Sequence, residues 1–347
     1  MEAVAMNDFD FSSINKILQE DSIDFEQLVN LLINGNYEDC IRICLDKIKL
    51  AFVGVLDKNG MIVKQILVLT LMLAVYMAIS KIFVDKILPE MGFYVVYLVL
   101  VTLLMTSFEI GYQLATNLME KIVSFLVVAL PVFYVAVAYA GNQAAAAGYY
   151  QVSLFIMTGI EWLLMGIVFP FIKIYMILKL LNELGSEKYF EGFLKLGEKA
   201  IKNGTKLLLG SVVGMQAIQV LILPQADIVK NKAFIKAASV IPTVGGITQA
   251  MSSVLLGSGV LIRNGIGVAT MICLIILCLI PFVQLAVSSL IFHLCSAVIV
   301  PIADKRVSNC VSSIADGFAL LLKIMTCCLC IFLIIIASVC AMTGNGV

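Results

Sequence analysis

Lys230–Gly267 reads KNKAFIKAASVIPTVGGITQAMSSVLLGSGVLIRNGIG, a stretch set among long apolar runs that carries Pro242, Gly245, Gly246, Gly257, Gly259, Gly265 and Gly267. Proline has no N–H and its ring clashes with the preceding turn, while glycine adds backbone freedom. A helix that reaches the membrane here is expected to break near Pro242–Gly246. Irregular backbone at bilayer depth survives only where protein or a water-filled cavity surrounds it. The stretch is therefore the first candidate for a functional centre. Small residues also let helices pack closely without any further role, and on these residues alone both readings stand.

Outward from this stretch the composition is decisive. Of 347 residues, 61% are hydrophobic and 13% charged, and the mean hydropathy is +1.05. These values exceed those of soluble domains, so the fold class is an all-α, polytopic integral membrane protein. The formal net charge is zero, which leaves no electrostatic case for nucleic acid. One histidine, His293, excludes most histidine-based metal or catalytic constellations. Most of the ten cysteines sit in apolar runs, as Cys327, Cys328 and Cys330 do, where cysteine acts as a small hydrophobe. Cys40 and Cys44 share a helix face without further ligands nearby, so no metal is expected. There is no Walker motif, no Gly-rich dinucleotide loop and no nucleophile–base pair. The reading is a non-enzyme with no catalytic residues and no cofactor.

Residues 1–60 are the one extended polar region, with 11 Asp and Glu against 5 Lys and Arg. Asp24 and Gln27 form a capping-box signal before Phe25, Leu28, Val29 and Leu32, and Gly35 is a natural stop. A second helix is expected over 36–58, giving a small acidic helical domain outside the bilayer. Ala3-Val4-Ala5 looks like the end of a cleavage site whose apolar core is missing. Two transmembrane spans are expected within 61–115, at Met61–Phe83 and Phe93–Leu114. Ile122–Ala140 follows with Pro131, then an uncharged loop, then Gln151–Leu181 with Glu161 and Pro170. Ser186–Lys206 holds five lysines and an apolar stripe of Phe190, Phe193, Leu194 and Ile201, which predicts a surface amphipathic helix. Further spans are expected at Leu207–Leu223, Ile266 to about Leu290 (interrupted at Pro281) and Phe318–Met342. A second surface helix (Val307, Cys310, Val311, Ile314) precedes the last. The total is about six to seven apolar spans with two Pro/Gly-broken segments.

An internal repeat emerges at an offset of 111 residues: Pro131 with Pro242, Pro170 with Pro281, Phe171 with Phe282, Gly148 with Gly259 and Lys121 with Lys232. Proline matches carry weight because the chain has only seven. The repeat divides the membrane region into unit 1 (121–230) and unit 2 (231–342). Each unit reads as a Pro-broken segment, a Pro-kinked span, an amphipathic helix and a further span. Three crossings per unit would invert the units, and two would leave them parallel. Seven lysines over Lys173–Lys206 argue for the cytoplasmic side.

Buried charges are the usual functional suspects in membranes. Glu161, deep in its span, is the foremost candidate, with Lys173, Arg263 and Lys323 as candidate partners; a structural hydrogen bond or a shallow interfacial position is the plainer explanation. Pro131, Pro242 and Glu161 would line the site of a small-solute secondary transporter or permease built on the repeat, which is the alternative function.

Lys236-Ala-Ala-Ser239-Val-Ile-Pro242-Thr-Val-Gly245-Gly246, Val254-Leu-Leu-Gly257-Ser258 and Arg263-Asn264-Gly-Ile-Gly267 together resemble the stage III sporulation protein AE family. Pro281 and Pro301-Ile-Ala-Asp304-Lys-Arg306 fit the same pattern, as does Asp24-Phe25-Glu26-Gln27-Leu28. The family usually starts with a signal-like segment and this chain does not, which favours a trimmed or mature form with its N-terminal domain outside the mother-cell cytoplasm. The resemblance implies a membrane subunit of a channel or secretion-like complex in endospore formation, in the mother-cell membrane facing the forespore. Its implied partners are the other stage III membrane proteins, membrane lipid and a separate cytoplasmic ATPase subunit. Pro242, Gly245, Gly246 and Asn264 carry over as motif positions of structural or conduit importance.

Overall fold

In the computed structural model the expected second span and the Pro131 segment are one helix. α3 runs unbroken from Ile87 to Tyr139, 53 residues. The structure describes residues 12–18, 25, 37–80, 87–139, 143–184, 188–238 and 245–342. Within them the other elements are α1 (Ser12–Leu18), α2 (Tyr37–Ser80), α4 (Gln143–Leu163), a π-helical segment (Leu164–Val168), α5 (Phe169–Leu184), α6 (Glu191–Ala238), α7 (Gly245–Ile299) and α8 (Lys305–Met342). Every regular element among the described residues is helical, in keeping with an all-α membrane protein.

Several expected breaks are absent, and packing explains why. Between Tyr112 and Leu130 there is no Gly or Pro, and Ala115, Leu118, Met119, Ile122 and Val123 are buried at helical spacing. The interval between two expected spans is thus packed helix. Pro131 lies inside α3, contrary to the expected break, with Leu130, Phe133 and Tyr134 buried around it. Proline is tolerated in such helices when neighbouring helices support the turn. Pro281 likewise sits inside an unbroken α7. Pro170 behaves differently. The five residues Leu164–Val168 form a π-turn, in which the Phe169 N–H reaches back to the Leu164 carbonyl. A widened turn of this kind can relieve the clash between a proline ring and the carbonyl four residues before it.

The two expected surface helices are also corrected. Each is the first part of a longer helix, α6 or α8, rather than a separate element. Val307, Cys310, Val311 and Ile314 are fully buried in the bundle, so their stripe faces protein, not lipid headgroups. Ile201 of α6 is buried, while Phe193 of α6 and Phe190 just before it are exposed. Toward the N-terminus, α2 runs through residue 60 without interruption. Phe25 donates its N–H to Asn15 Oδ1 at 2.8 Å and meets Phe125 edge-on at 6.4 Å, which lays α1 along α3. Asp24, Gln27, Gly35 and Pro242 lie outside the described residues.

Five helices among the described residues are long and apolar enough to cross a membrane: Val53–Ile79, Met91–Ala138, Tyr150–Leu184, Gly265–Ile299 and Lys305–Ser338. Cross-contacts set their directions. Tyr97 donates its O–H to the Leu180 carbonyl, and Tyr134 meets Ser153 at 2.5 Å, so α3 runs antiparallel to α4, the π-segment and α5. Ser296 and Ser308 join α7 to α8 at the turn between them. Arg306 covers Phe93 and Cys328 meets Met119, so α8 runs parallel to α3. The turns after α5 and α7 therefore lie at one end, the base, and the α3–α4 junction at the other, the tip.

Candidate functional site: an ion-pair tier at the base

The bundle divides into two tiers along its length. Toward the tip lie residues 122–139 of α3, 143–160 of α4, 207–217 of α6, 265–282 of α7 and 324–342 of α8, with no Asp, Glu, Lys or Arg among them. Toward the base the helices are tied by ion pairs. Lys173 of α5 meets Glu109 of α3 at 2.9 Å and lies over the Tyr112 ring. Lys179 of α5 meets Asp316 of α8 at 2.8 Å, and the other Asp316 oxygen is 3.7 Å from His293 Nε2 of α7. One carboxylate thus joins three helices. Glu183 accepts from Asn309 Nδ2 at 3.0 Å and pairs with Lys188 at 3.6 Å.

Buried polar bonds reinforce this tier. Ser289 donates to the Ala315 carbonyl and Ser296 to that of Ser308, buried bonds that hold α7 on α8 inside the bundle. Asp304 accepts from the Arg306 N–H at 2.9 Å just before α8 begins. Its burial pushes its carboxyl up, but the Arg306 N–H and guanidinium outweigh this and hold it below the ordinary carboxylate range. Arg306 in turn stacks on Phe93, 4.0 Å from the ring centre, so the turn before α8 is anchored on α3. Between α6 and α8 an open groove of about 130 Å³ is lined by Glu198, Ile201, Lys202, Thr205, Leu320, Lys323 and Ile324. Among the described residues no three His, Cys, Asp or Glu side chains gather as a metal would need.

Among the described residues the expected site residues do not gather at one place. Glu161 is half-buried on α4 beside Trp162, which is 66% exposed; no ion pair among the described residues includes it. Its expected partner Lys173 is bound to Glu109 instead, because Glu109 and Lys173 stand opposite each other in the α3–α5 pair. Pro131 is two residues from Phe133, which touches Gly267, while Pro281 lies near Leu285, which packs at Gly111. With α3 and α7 antiparallel, these two prolines stand at different levels. Gly245 and Gly246 open α7 and Asn264 lies within it; Pro242 is outside the described residues. Reading the sequence missed Lys179, His293 and Asp316. A usable signal was present, since Asp316 is the sole acidic residue after Asp304.

The sequence profile described as Stage III sporulation protein AE matches residues 23–343. The chain belongs to the stage III sporulation protein AE family. A curated Stage III sporulation protein AE from Bacillus subtilis (strain 168) is 21% identical over 260 residues, covering 75% of this chain. The chain spans 65% of that relative's length. No solved structure matches. Both tiers and all seven expected site positions fall inside the region that the stage III sporulation protein AE profile covers.

Proposed function

We propose that this chain is a non-enzymatic membrane subunit of the stage III sporulation channel or secretion-like complex, needed for endospore development. The observation that carries this reading is the family match over residues 23–343, joined to five helices of membrane-crossing length. In this reading the chain sits in the mother-cell membrane facing the forespore. Its partners are the other stage III membrane proteins and a separate cytoplasmic ATPase subunit. The ion-pair tier holds the helices in register, and the chain performs no chemistry of its own.

The proposal includes the repeat. α5 and α7 carry Pro170 and Pro281 and run to the base; α6 and α8 return from it. Both hairpins point the same way, which supports parallel rather than inverted units. No contact of Glu161 favours a permease reading, and Pro131 lies in unbroken helix. The test is recovery of the tagged full chain from membranes of sporulating cells. Co-purification of the other stage III membrane proteins is the expected result, together with arrested endospore development when the chain is depleted. Recovery of the chain alone, with normal spores on depletion, would overturn the proposal.

A further inference from the structure

We propose that the bilayer surrounds the tip tier and that the base tier stands clear of the hydrocarbon. Between Tyr97 and Tyr134 the α3 helix climbs about 55 Å at its usual rise per residue. The hydrocarbon core is about 30 Å thick, so one bilayer does not hold both tiers. Apolar residues are exposed in each. In the base tier Val95, Leu98 and Val99 of α3 and Leu71, Met72 and Val75 of α2 face outward. Exposed apolar surface alone therefore does not choose between them.

Charge does choose. The tip segments of α3, α4, α6, α7 and α8 carry none, and residues 122–139 rise about 27 Å, close to the hydrocarbon thickness. Their exposed large residues are apolar, Val127 and Val135 on α3, Phe155 on α4, Val213 on α6 and Val268 and Ile275 on α7, beside the uncharged Ser124, Gln151, Thr158 and Ser211. Flanking the base tier, by contrast, α6 exposes Glu191 and Lys195, whose side chains are 52% and 74% accessible. Lys173 and Asp316 are 41% and 53% accessible. Charges so placed would face acyl chains if the base tier were immersed, which membranes disfavour strongly. The boundary between tiers bears the marks of an interface. Lys121, Lys206 and Lys323 are the last charged residues of α3, α6 and α8 before the tip segments, and Glu161 bounds that of α4. Trp162, the single tryptophan, is exposed beside Glu161; indole rings favour the headgroup level.

The test uses tryptophan quenching by brominated lipids in liposomes holding the full chain. Trp162→Phe supplies a dark background, into which Phe155→Trp or Val95→Trp is introduced at exposed positions. Phe155→Trp is expected to lose more emission to bromines near the acyl chain end than to bromines near the headgroup. Val95→Trp is expected to lose none to either, and Leu294→Trp, also exposed in the base tier, serves as its independent check. Quenching of Val95→Trp and Leu294→Trp by chain-end bromines, or none of Phe155→Trp, would overturn the proposal.

Discussion

The tip and base tiers are built from the same long helices and are held together by different means. In the tip tier, contact is steric. A Cβ on Gly267 would run into Cys340 and Phe133, and few polar bonds link the helices there: Tyr134 with Ser153, and Ser338 donating to the Gln216 side-chain oxygen. In the base tier, Asp316 alone joins α5, α7 and α8, and Asp304–Arg306 fastens the α7–α8 turn to Phe93. The difference follows from the solvent each tier meets. Where lipid surrounds the helices, hydrophobic burial gives them no reason to associate, and close packing must do so. Where water is near, exposed ion pairs are permitted but weak.

The comparison can be broken from either side. The largest effect is expected for a charge in the tip tier: Val127→Lys should destabilise by about 2.5–3.5 kcal/mol. Val99→Lys, on the same helix with similar exposure, should stay within about 0.5 kcal/mol. Folded yield from membranes and thermal unfolding in bilayer discs would measure both; equal losses would erase the distinction. Next comes Gly267→Ala, expected to lose about 1–3 kcal/mol through overpacking. Gly159→Ala, where a Cβ meets nothing within 4 Å, should be neutral or gain up to about 1 kcal/mol.

In the base tier the effects shrink. Lys179→Met should lose about 0.5–1 kcal/mol, read by thermal unfolding, with the loss diminished at high salt. Asp304→Asn keeps a capping side chain but removes the charge, and should lose about 0.5 kcal/mol at neutral pH. The sign of its pH dependence follows from the lowered carboxyl. The contribution is complete above the ordinary carboxylate range and fades as pH falls through the lowered value. Wild type and variant should therefore converge in acid; a gap that widens in acid would contradict the assignment. The smallest effect is expected at Glu161. Glu161→Gln should change stability by less than about 0.5 kcal/mol and leave sporulation intact, whereas a permease site would lose its flux.

Much of this was readable from composition and spacing. The helical class, the disturbance ahead of Pro170 and the family resemblance all rest on local features. The number of separate elements was not readable, because Pro131 and Pro281 are potential breaks whose outcome is set by neighbours far along the chain. The base-tier pairs were hidden for the same reason: Lys179 and Asp316 are 137 positions apart, and nothing local to either predicts the other. Glu161 drew notice because it is a charge deep in an apolar run. Its place beside Trp162, at the edge of the charge-free tier, makes it a boundary residue.

The most direct measurement needs no substitution. Trp162 is the sole tryptophan, and its depth in liposomes can be read by comparing quenchers placed high and low in the acyl chain. The two-tier account predicts a shallow position near the headgroups, with greater quenching by the bromines placed high in the chain. Deepest quenching by bromines near the chain end would put Glu161 and the π-turn at the bilayer centre and contradict it.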